Sequence, residues 1–454
     1  MDAQAPERSR WGFALRLVAV ALVLLAIGLG GWWLFRPQWD EQLREYAEFV
    51  ESERGLEFDH PIGIEWVPVE ERLNSDFGHH HEPVKFDPTL EAYALLGLIE
   101  PPNDAKSHQE VVDDTAASLA AGYYSPQEQM IYIDEDYPRE TLGLLIVHEL
   151  VHALQDQHGM LDYHVETQDA AATRTALIEG DAERITDAYF NQLSDVEQQV
   201  YFDAWDAQEP WVDEPNTFLE SSFATSYVVG PSVVYTLLDT EGPDELDRLL
   251  RSSFIGSSER LVDPLSPQVD PQTNGFLLFG DYVDGYSDGD IGALNWFRAL
   301  APVVGAETAF TAILGYDDDS FGVFEDGGET CAVFVTWFDT ELDASEFHEI
   351  ARSVGFDTEL GEDDHAVTAE TCAPIGDPTD QRFATLLPIV LSGNLAAAHV
   401  ADGYSVEVAR CASIAQAGRV DVLAPAHDAG DWDIHLAQAE AFLEECVRID
   451  DAST

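Results

Sequence analysis

The chain is poor in lysine and in basic residues as a whole. Among its 454 residues only Lys85 and Lys106 are lysines, and lysine and arginine together number 21 against 87 acidic residues. Proteins that bind nucleic acid place basic side chains against phosphates, and this sequence contains no basic patch. The composition therefore predicts that nucleic acid is not a partner.

Cysteine is absent from the first 330 residues. The four cysteines lie in the last third of the chain, at Cys331, Cys372, Cys411 and Cys446, and none belongs to a CxxC pair. This spacing argues against a cysteine-bound zinc ion. An even number of cysteines outside a membrane indicates disulfides, and four cysteines permit three different pairings.

Acidic residues, by contrast, are spread along the whole chain and give a formal net charge of −66. The hydrophobic content is still 45%, so the chain can bury a sizeable core and does not have the composition of a disordered protein. Such a charge repels itself in dilute buffer, whereas molar salt shortens the Debye length to ~3 Å. The composition predicts a halophilic protein.

Charge is missing from one stretch near the N-terminus, residues 17–35. We predict a transmembrane signal-anchor over residues 11–35, preceded by a cytoplasmic tail at 1–10 and followed by a juxtamembrane stalk at 36–60. No cysteine follows the apolar run, which excludes a lipoprotein anchor, and its bulky end, GGWWLFRPQW, lacks a small-residue cleavage site. A cleaved signal peptide is the alternative. The anchor predicts a single-pass protein of the cell membrane with an extracellular C-terminal domain.

The most informative stretch is TLGLLIVHELVHALQDQH, residues 141–158, which predicts an apolar helix. His148 and His152 lie one turn apart on the same helical face, so both imidazoles can bind one Zn²⁺ ion. Glu149 follows the first ligand directly and is placed to act as general base on a metal-bound water. The alternative is a pair of surface histidines on an ordinary helix.

A third ligand is expected from the helical segment ALIEGDAERI, residues 176–185. Glu179 and Glu183 share a face because they are four residues apart. We predict that Glu179 binds the metal and that Glu183 accepts the free ring N–H of one histidine. The alternative is a solvated acidic face in a chain that is acidic throughout.

Other candidates for the metal are weaker. Asp156, Asp181 and His164 compete with Glu179 on residue type alone. His158 has the third-histidine spacing of HExxHxxGxxH, but Gln155 stands where that pattern has glycine. Without the glycine turn the helix should continue, and His158 should face away from His152.

Two further segments bear on catalysis. Residues 117–134 predict a hairpin just before the metal helix, and its free edge could take up a peptide as an added strand; the alternative is that it only covers the helix. Residues 218–238 predict a helix after Gly230-Pro231. Its Tyr227 and Tyr235 could donate phenol hydroxyls to an oxyanion, but packing is the favoured role.

The motifs HELVHALQDQH and ALIEGDAE, in that order, resemble the gluzincin metallopeptidases, in which HExxH supplies two histidines and a later helix supplies a glutamate. More narrowly, the blocks AGYYSPQEQMIYI, HELVHALQDQ, EGDA and GYDDDSFGVFEDGGETCAVFVTWFDTELDASEF resemble a poorly characterised family of surface proteins of salt-loving archaea, with bacterial relatives. This resemblance covers roughly residues 60 to 350. It implies an α+β protein with a zincin-like domain, in which a mixed sheet accompanies the metal-binding helices.

We therefore expect a zincin-like metallopeptidase domain over residues 61–270 and an α+β C-terminal region over 271–454. The expected function is a zinc metallopeptidase that acts on a peptide or protein substrate. One rival is a non-enzymatic surface protein with a structural or relic zinc site, which a fourth protein ligand would favour. A second rival is a metal-dependent hydrolase whose substrate is not a peptide.

Overall fold

The computed structural model of the protein describes residues 39–76, 87–101, 121–162, 167–207, 218–252, 255–267, 289–361, 365–377, 383–419 and 441–450. The predicted cytoplasmic tail and membrane span, residues 1–35, lie outside these ranges. Within them, no helix combines the length and the apolar character that crossing a bilayer requires.

The described elements form an α+β protein, and the first part of the chain contributes one small sheet. In chain order these elements are α1 (Glu41–Arg54), β1 (Gly63–Val67), α2 (Val69–Asp76), α3 (Pro88–Leu95), β2 (Gly122–Ser125), β3 (Met130–Asp134), α4 (Leu142–Gln157), α5 (Gln168–Gln192), α6 (Asp195–Ala207), α7 (Phe218–Thr240), α8 (Pro243–Leu250) and α9 (Glu259–Val262).

The later part of the chain adds further helices and a second sheet. Its elements are α10 (Gly292–Val304), α11 (Ala306–Ile313), β4 (Tyr316–Asp326), β5 (Glu329–Phe338), α12 (Glu341–Ser353), β6 (Asp357–Leu360), β7 (Ala366–Thr371), α13 (Leu387–Ala401), α14 (Val406–Ala417) and α15, residues 441–450.

The first sheet is mixed and has the order β1-β3-β2. Strand β3 pairs parallel with β1 and antiparallel with β2, so β2 lies at an edge. The predicted hairpin is therefore present, with strands at residues 122–125 and 130–134; residues 117–120 lie outside the described part of the chain. The edge strand β2 packs on the metal helix α4.

The second sheet is antiparallel in the order β4-β5-β7-β6. Both disulfides belong to this later part of the chain. Cys331 of β5 is bonded to Cys372, and Cys411 of α14 is bonded to Cys446 of α15. The structure thus selects one of the three pairings that the sequence leaves open.

Two buried clusters of apolar side chains organise these elements. The smaller one joins α1, the first sheet, α4 and α5. The larger one runs from α3 through α5 and α7 to α10, the second sheet and α12. This larger cluster crosses the boundary predicted at residue 270, because side chains from both sides of that position share one core.

The segment predicted as part of a stalk is helix α1, and it packs into the smaller core. Leu43, Ala47 and Val50 lie on one face, spaced by three or four residues, and are fully or almost fully buried. Arg54 ends the helix and is also buried, and Gly55 follows in the left-handed conformation with φ 76°. Residues 41–54 are therefore an integral part of the fold around α4 and α5.

Helix α7 begins at Phe218 and passes through Gly230-Pro231, so the prediction that it starts after this dipeptide is wrong. The two glycines Gly180 of α5 and Gly230 of α7 face each other. A Cβ atom added at Gly180 would lie only 2.9 Å from the Gly230 Cα atom. The absence of side chains lets the two helical backbones touch, and this contact brings α7 against the metal-site segment of α5.

Candidate metal centre

Helix α4 carries the HExxH motif into the interior. Apolar side chains on most of its circumference are buried, and the helix starts at Leu142 and ends at Gln157, close to the predicted bounds. His148 is 8% exposed and Glu149 is 5% exposed. Buried ionisable groups require specific partners, so the surroundings of these side chains decide what they can do.

Glu179 is supplied by helix α5. The Thr167 side chain caps this helix by accepting a hydrogen bond from the Ala170 N–H group. Helix α5 packs against α4 on one side and against α7 on the other. This packing places Glu179 opposite His148 and His152, although 31 residues separate Glu179 from His148.

The three side chains converge on one point. The Nε2 atoms of His148 and His152 lie 3.0 Å apart. The Glu179 Oε2 atom is 3.2 Å from the first of these nitrogens and 3.3 Å from the second. Donors bound at about 2.0–2.1 Å to a tetrahedral zinc ion lie roughly 3.3 Å apart, so the triangle has the dimensions of three zinc ligands. In the described part of the chain, these three residues are the one such group of histidine, cysteine or carboxylate donors.

The outer nitrogens of both imidazoles have acceptors. The His148 Nδ1 atom lies 3.1 Å from Glu183 Oε1, and the His152 Nδ1 atom lies 3.0 Å from Gln155 Oε1. An imidazole that donates from Nδ1 presents a lone pair at Nε2. Two such lone pairs and one carboxylate oxygen then face each other, and a shared cation would relieve their repulsion. Glu183 thus lies beside the His148 imidazole, on the side away from the other two donors.

The electrostatics of the site favour positive charge. Burial opposes a charged His148, yet hydrogen bonds to Glu179 and Glu183 raise its pKa well above the ordinary value. Burial likewise opposes a charged His152, but Glu179 raises its pKa. Burial also opposes ionisation of Glu179, and the two histidines nevertheless hold its pKa far below the usual range. The site therefore attracts cations, whether protons or a metal ion.

Glu149 lies at the edge of β2 that faces away from β3. The Tyr124 backbone N–H donates a hydrogen bond to its carboxylate, while burial raises the pKa of Glu149. The direction of this N–H follows from the strand register, since Tyr123 pairs with Tyr132 and the Asp134 N–H donates to the Ala121 carbonyl. Alternate residues of an antiparallel pair point their backbone groups away from the partner strand, so the Tyr124 N–H points outward.

Tyr227 of α7 is also at the site. Its ring stacks on the His148 imidazole, with centroids 6.0 Å apart and planes at 25°. Burial raises the pKa of Tyr227, and the carboxylates of Glu179, Glu149 and Glu183 raise it further. The sequence identifies Tyr227 as a possible hydrogen-bond donor but favours a packing role for it. Its contact with His148 depends on how α7 packs against α5, which the sequence does not show. Tyr235, two turns later, is 39% exposed.

The weaker candidates have other partners. Asp156 accepts a hydrogen bond from the Tyr124 hydroxyl at 2.7 Å. Asp181 is bound by Arg54 at 2.7 Å. His158 caps the end of α4 and contacts the Glu57 carbonyl, so it does face away from the site, although the helix ends one residue before it. His164 lies outside the described residues.

Comparison with known families bears on this region. Residues 105–225 match the “Putative metallopeptidase family (DUF6782)”. The matched range contains all five predicted site residues: His148, Glu149, His152, Glu179 and Glu183. The match supports a metallopeptidase-related protein, and a metallopeptidase implies a bound metal.

No curated protein and no solved structure matches the chain. The narrower resemblances, to gluzincins and to surface proteins of salt-loving archaea, therefore stay predictions.

Proposed function

We propose that the protein is a membrane-anchored, extracellular zinc metallopeptidase with a zincin-like domain, which hydrolyses peptide bonds. The observation that carries this proposal is the triangle of His148, His152 and Glu179, with donor atoms 3.0–3.3 Å apart and Glu149 beside it. The family match supports the same class of enzyme.

The donor set fits zinc, since two imidazoles and one carboxylate are a ligand set of catalytic zinc sites that leaves a fourth position open. Bound there, Zn²⁺ would supply Lewis-acid activation of a water molecule and of the substrate carbonyl. The Glu149 carboxylate takes the proton of that water and later passes it to the leaving amine nitrogen. Burial, which raises the pKa of Glu149, suits a group that must both accept and return a proton.

A peptide substrate fits the edge strand β2. In the described part of the chain β2 pairs with β3 alone, so its outward edge can take up an extended chain, apart from the Tyr124 N–H group, which donates to Glu149. A peptide added there as a strand would run past Glu149, because Tyr124 of that strand contacts this carboxylate. The Tyr227 ring stacks on His148, and its hydroxyl is hydrogen-bonded to the Glu179 carboxylate. We propose that this hydroxyl donates to the carbonyl oxygen under attack when a substrate is bound.

The location belongs to the proposal as well. The uncharged run at residues 17–35 supports an anchor, and two disulfides fit an oxidising, extracellular compartment. The net charge of −66 supports activity in high salt.

The rival of a structural zinc site requires closure by a fourth protein ligand. Among the described residues no fourth histidine, cysteine or carboxylate joins the triangle. The presence of Glu149, buried at the edge strand, also favours a working site over a relic.

The test compares wild type with Glu149→Gln in molar salt. Both proteins are assayed for cleavage of a broad quenched-peptide library, and bound zinc is measured in each. We expect both to bind one zinc ion and only the wild type to cleave, because the amide cannot accept the proton of water.

Two outcomes contradict the proposal. Wild-type protein that binds no zinc would exclude the metal centre. Zinc bound by both proteins with cleavage by neither would favour a structural site or a substrate other than a peptide.

A further inference from the structure

The two metal-site histidines are held in different ways. His148 is held by Glu183, a carboxylate whose side chain is 29% exposed. His152 is held by Gln155, a neutral amide that is 1% exposed. In the sequence Gln155 stands out only as the residue in place of a glycine, yet it lies at the start of a buried chain of polar contacts.

The polarity of the Gln155 amide is fixed by its other partners. Its Nε2 atom donates to the Ile178 carbonyl at 3.1 Å and to Asp181 Oδ2 at 3.2 Å. A carbonyl and a carboxylate accept hydrogen bonds and cannot donate them, so the nitrogen of the amide must face these two groups. The oxygen must then face His152, and the His152 Nδ1 atom must carry a proton. This leaves the lone pair of His152 at Nε2, where the metal site lies.

Asp181 is positioned by helix α1 and by Arg184 of its own helix, whose Nη2 atom lies 3.1 Å from Asp181 Oδ1. The Asp181 side chain is fully buried, and its Oδ2 atom accepts from Arg54 Nε at 2.7 Å. Arg54 also reaches Asp247 of α8 through its Nη2 atom. The Arg54 guanidinium therefore links α1, α5 and α8. Because this group is planar, it can bind two carboxylates at once.

We propose that Arg54, Asp181 and Gln155 are positioning residues that set the tautomer and orientation of His152, and that they connect the N-terminal helix to the metal centre. The inference rests on the proposed metal site and adds to it a structural reason for the position of α1. The segment that emerges from the predicted membrane anchor is then part of the support of a metal ligand.

The test measures zinc affinity of the full chain in detergent and molar salt, by competition with a chromophoric chelator. The variants are Gln155→Met, which keeps length but removes every hydrogen bond, and Arg54→Lys, which keeps charge but loses the fork. The matched control is Arg251→Lys, since Arg251 also contacts Asp247 but has no contact with Asp181. Thermal unfolding of the metal-free proteins shows that each variant is folded.

We expect both test variants to weaken zinc binding by about 10- to 100-fold, as removal of such partners does elsewhere. The control should stay within about twofold of wild type. In zinc-loaded protein with ¹⁵N-labelled histidine, the His152 Nδ1 proton should be protected from exchange in wild type and exposed to exchange in Gln155→Met. A purely structural role of Gln155 would not change this signal selectively.

The outcomes separate this inference from the proposed function. Wild type that binds zinc, with Gln155→Met binding within twofold and keeping the protected proton, would overturn the inference and leave the metal site standing. Wild type that binds no zinc would overturn both.

Discussion

Helix α5 carries two carboxylates, one half-buried and one buried, whose surroundings differ. In its middle, Glu179 faces two imidazoles, and its pKa is held far below the usual range despite burial. In its first turn, Asp169 is more fully buried, and burial together with Asp290 raises its pKa to about 7. The neighbouring groups thus shift the pKa values of two carboxylic acids in one helix in opposite directions.

The cluster around Asp169 is held mainly by backbone N–H groups. Asp290 accepts from the Gln168 and Asp169 amides at 2.8 and 2.6 Å, and Asp319 accepts from the Ile291 amide and the Trp296 indole. These bonds tie the start of α5 to α10 and β4. The comparison teaches that a group of buried acids is structural where backbone donors hold most of its oxygens, with Asp169 Oδ1 as the exception. Such a group is suited to a metal where imidazole lone pairs join it.

The largest expected effect is a difference in zinc affinity between variants of the two carboxylates. Glu179→Gln should weaken zinc binding by about 100-fold or more, since it removes a charged ligand and not merely an outer partner. Asp169→Asn should leave zinc affinity unchanged. Chelator competition measures both, and equal loss in the two variants would show that the comparison is wrong.

The second expected effect concerns the tyrosine beside each cluster. Tyr227→Phe should lower kcat for peptide cleavage by about 100- to 1,000-fold while zinc stays bound, because an oxyanion donor is lost. The control is Tyr316→Phe. The Tyr316 hydroxyl is buried near Asp319 and Asp169 and has no part in the proposed reaction. If Tyr227→Phe keeps full activity, Tyr227 has only a packing role.

The remaining prediction, which leaves the metal site untouched, is a pH dependence of stability. Because the folded-state pKa of Asp169 is about 7, above its ordinary value of 3.8, the folded state binds this proton more tightly. That stability is present below about pH 4 and is lost as the pH rises through 7, to a limit of about 4 kcal/mol. Asp169→Asn should flatten this part of the curve.

The measurement for this last prediction is the free energy of unfolding between pH 4 and 8 in molar salt. The exposed Asp357→Asn serves as the control and should keep the wild-type slope. An unchanged slope in Asp169→Asn would mean that other groups of the cluster carry the proton.

Local periodicity explains what the sequence predicts well. The pairs His148 and His152, and Glu179 and Glu183, are each four residues apart on a helix, so their common faces follow from the helical repeat. The bounds of α4 and the hairpin of β2 and β3 likewise follow from patterns within about 20 residues. The zinc-sized triangle itself needs only that α4 and α5 pack face to face.

Contacts between distant segments explain what the sequence does not predict. Arg54 meets Asp181 across 127 residues, and nothing in the acidic pattern of α1 distinguishes a packed helix from a stalk. Tyr227 reaches His148 because α7 touches α5 at two glycines, which no periodicity of α7 indicates. The core shared by residues on both sides of position 270 also depends on contacts between distant segments, so the sequence does not predict it.

The contact between Gly180 and Gly230 also sets how closely Tyr227 approaches the metal ligands. Gly180 follows Glu179 directly on α5, and Gly230 lies three residues after Tyr227 on α7. With no side chain between the two backbones, the two helices already stand at their closest approach. A single methyl group at either position would therefore push α7 away from α5 and shift Tyr227 relative to Glu179 and His148, without touching substrate.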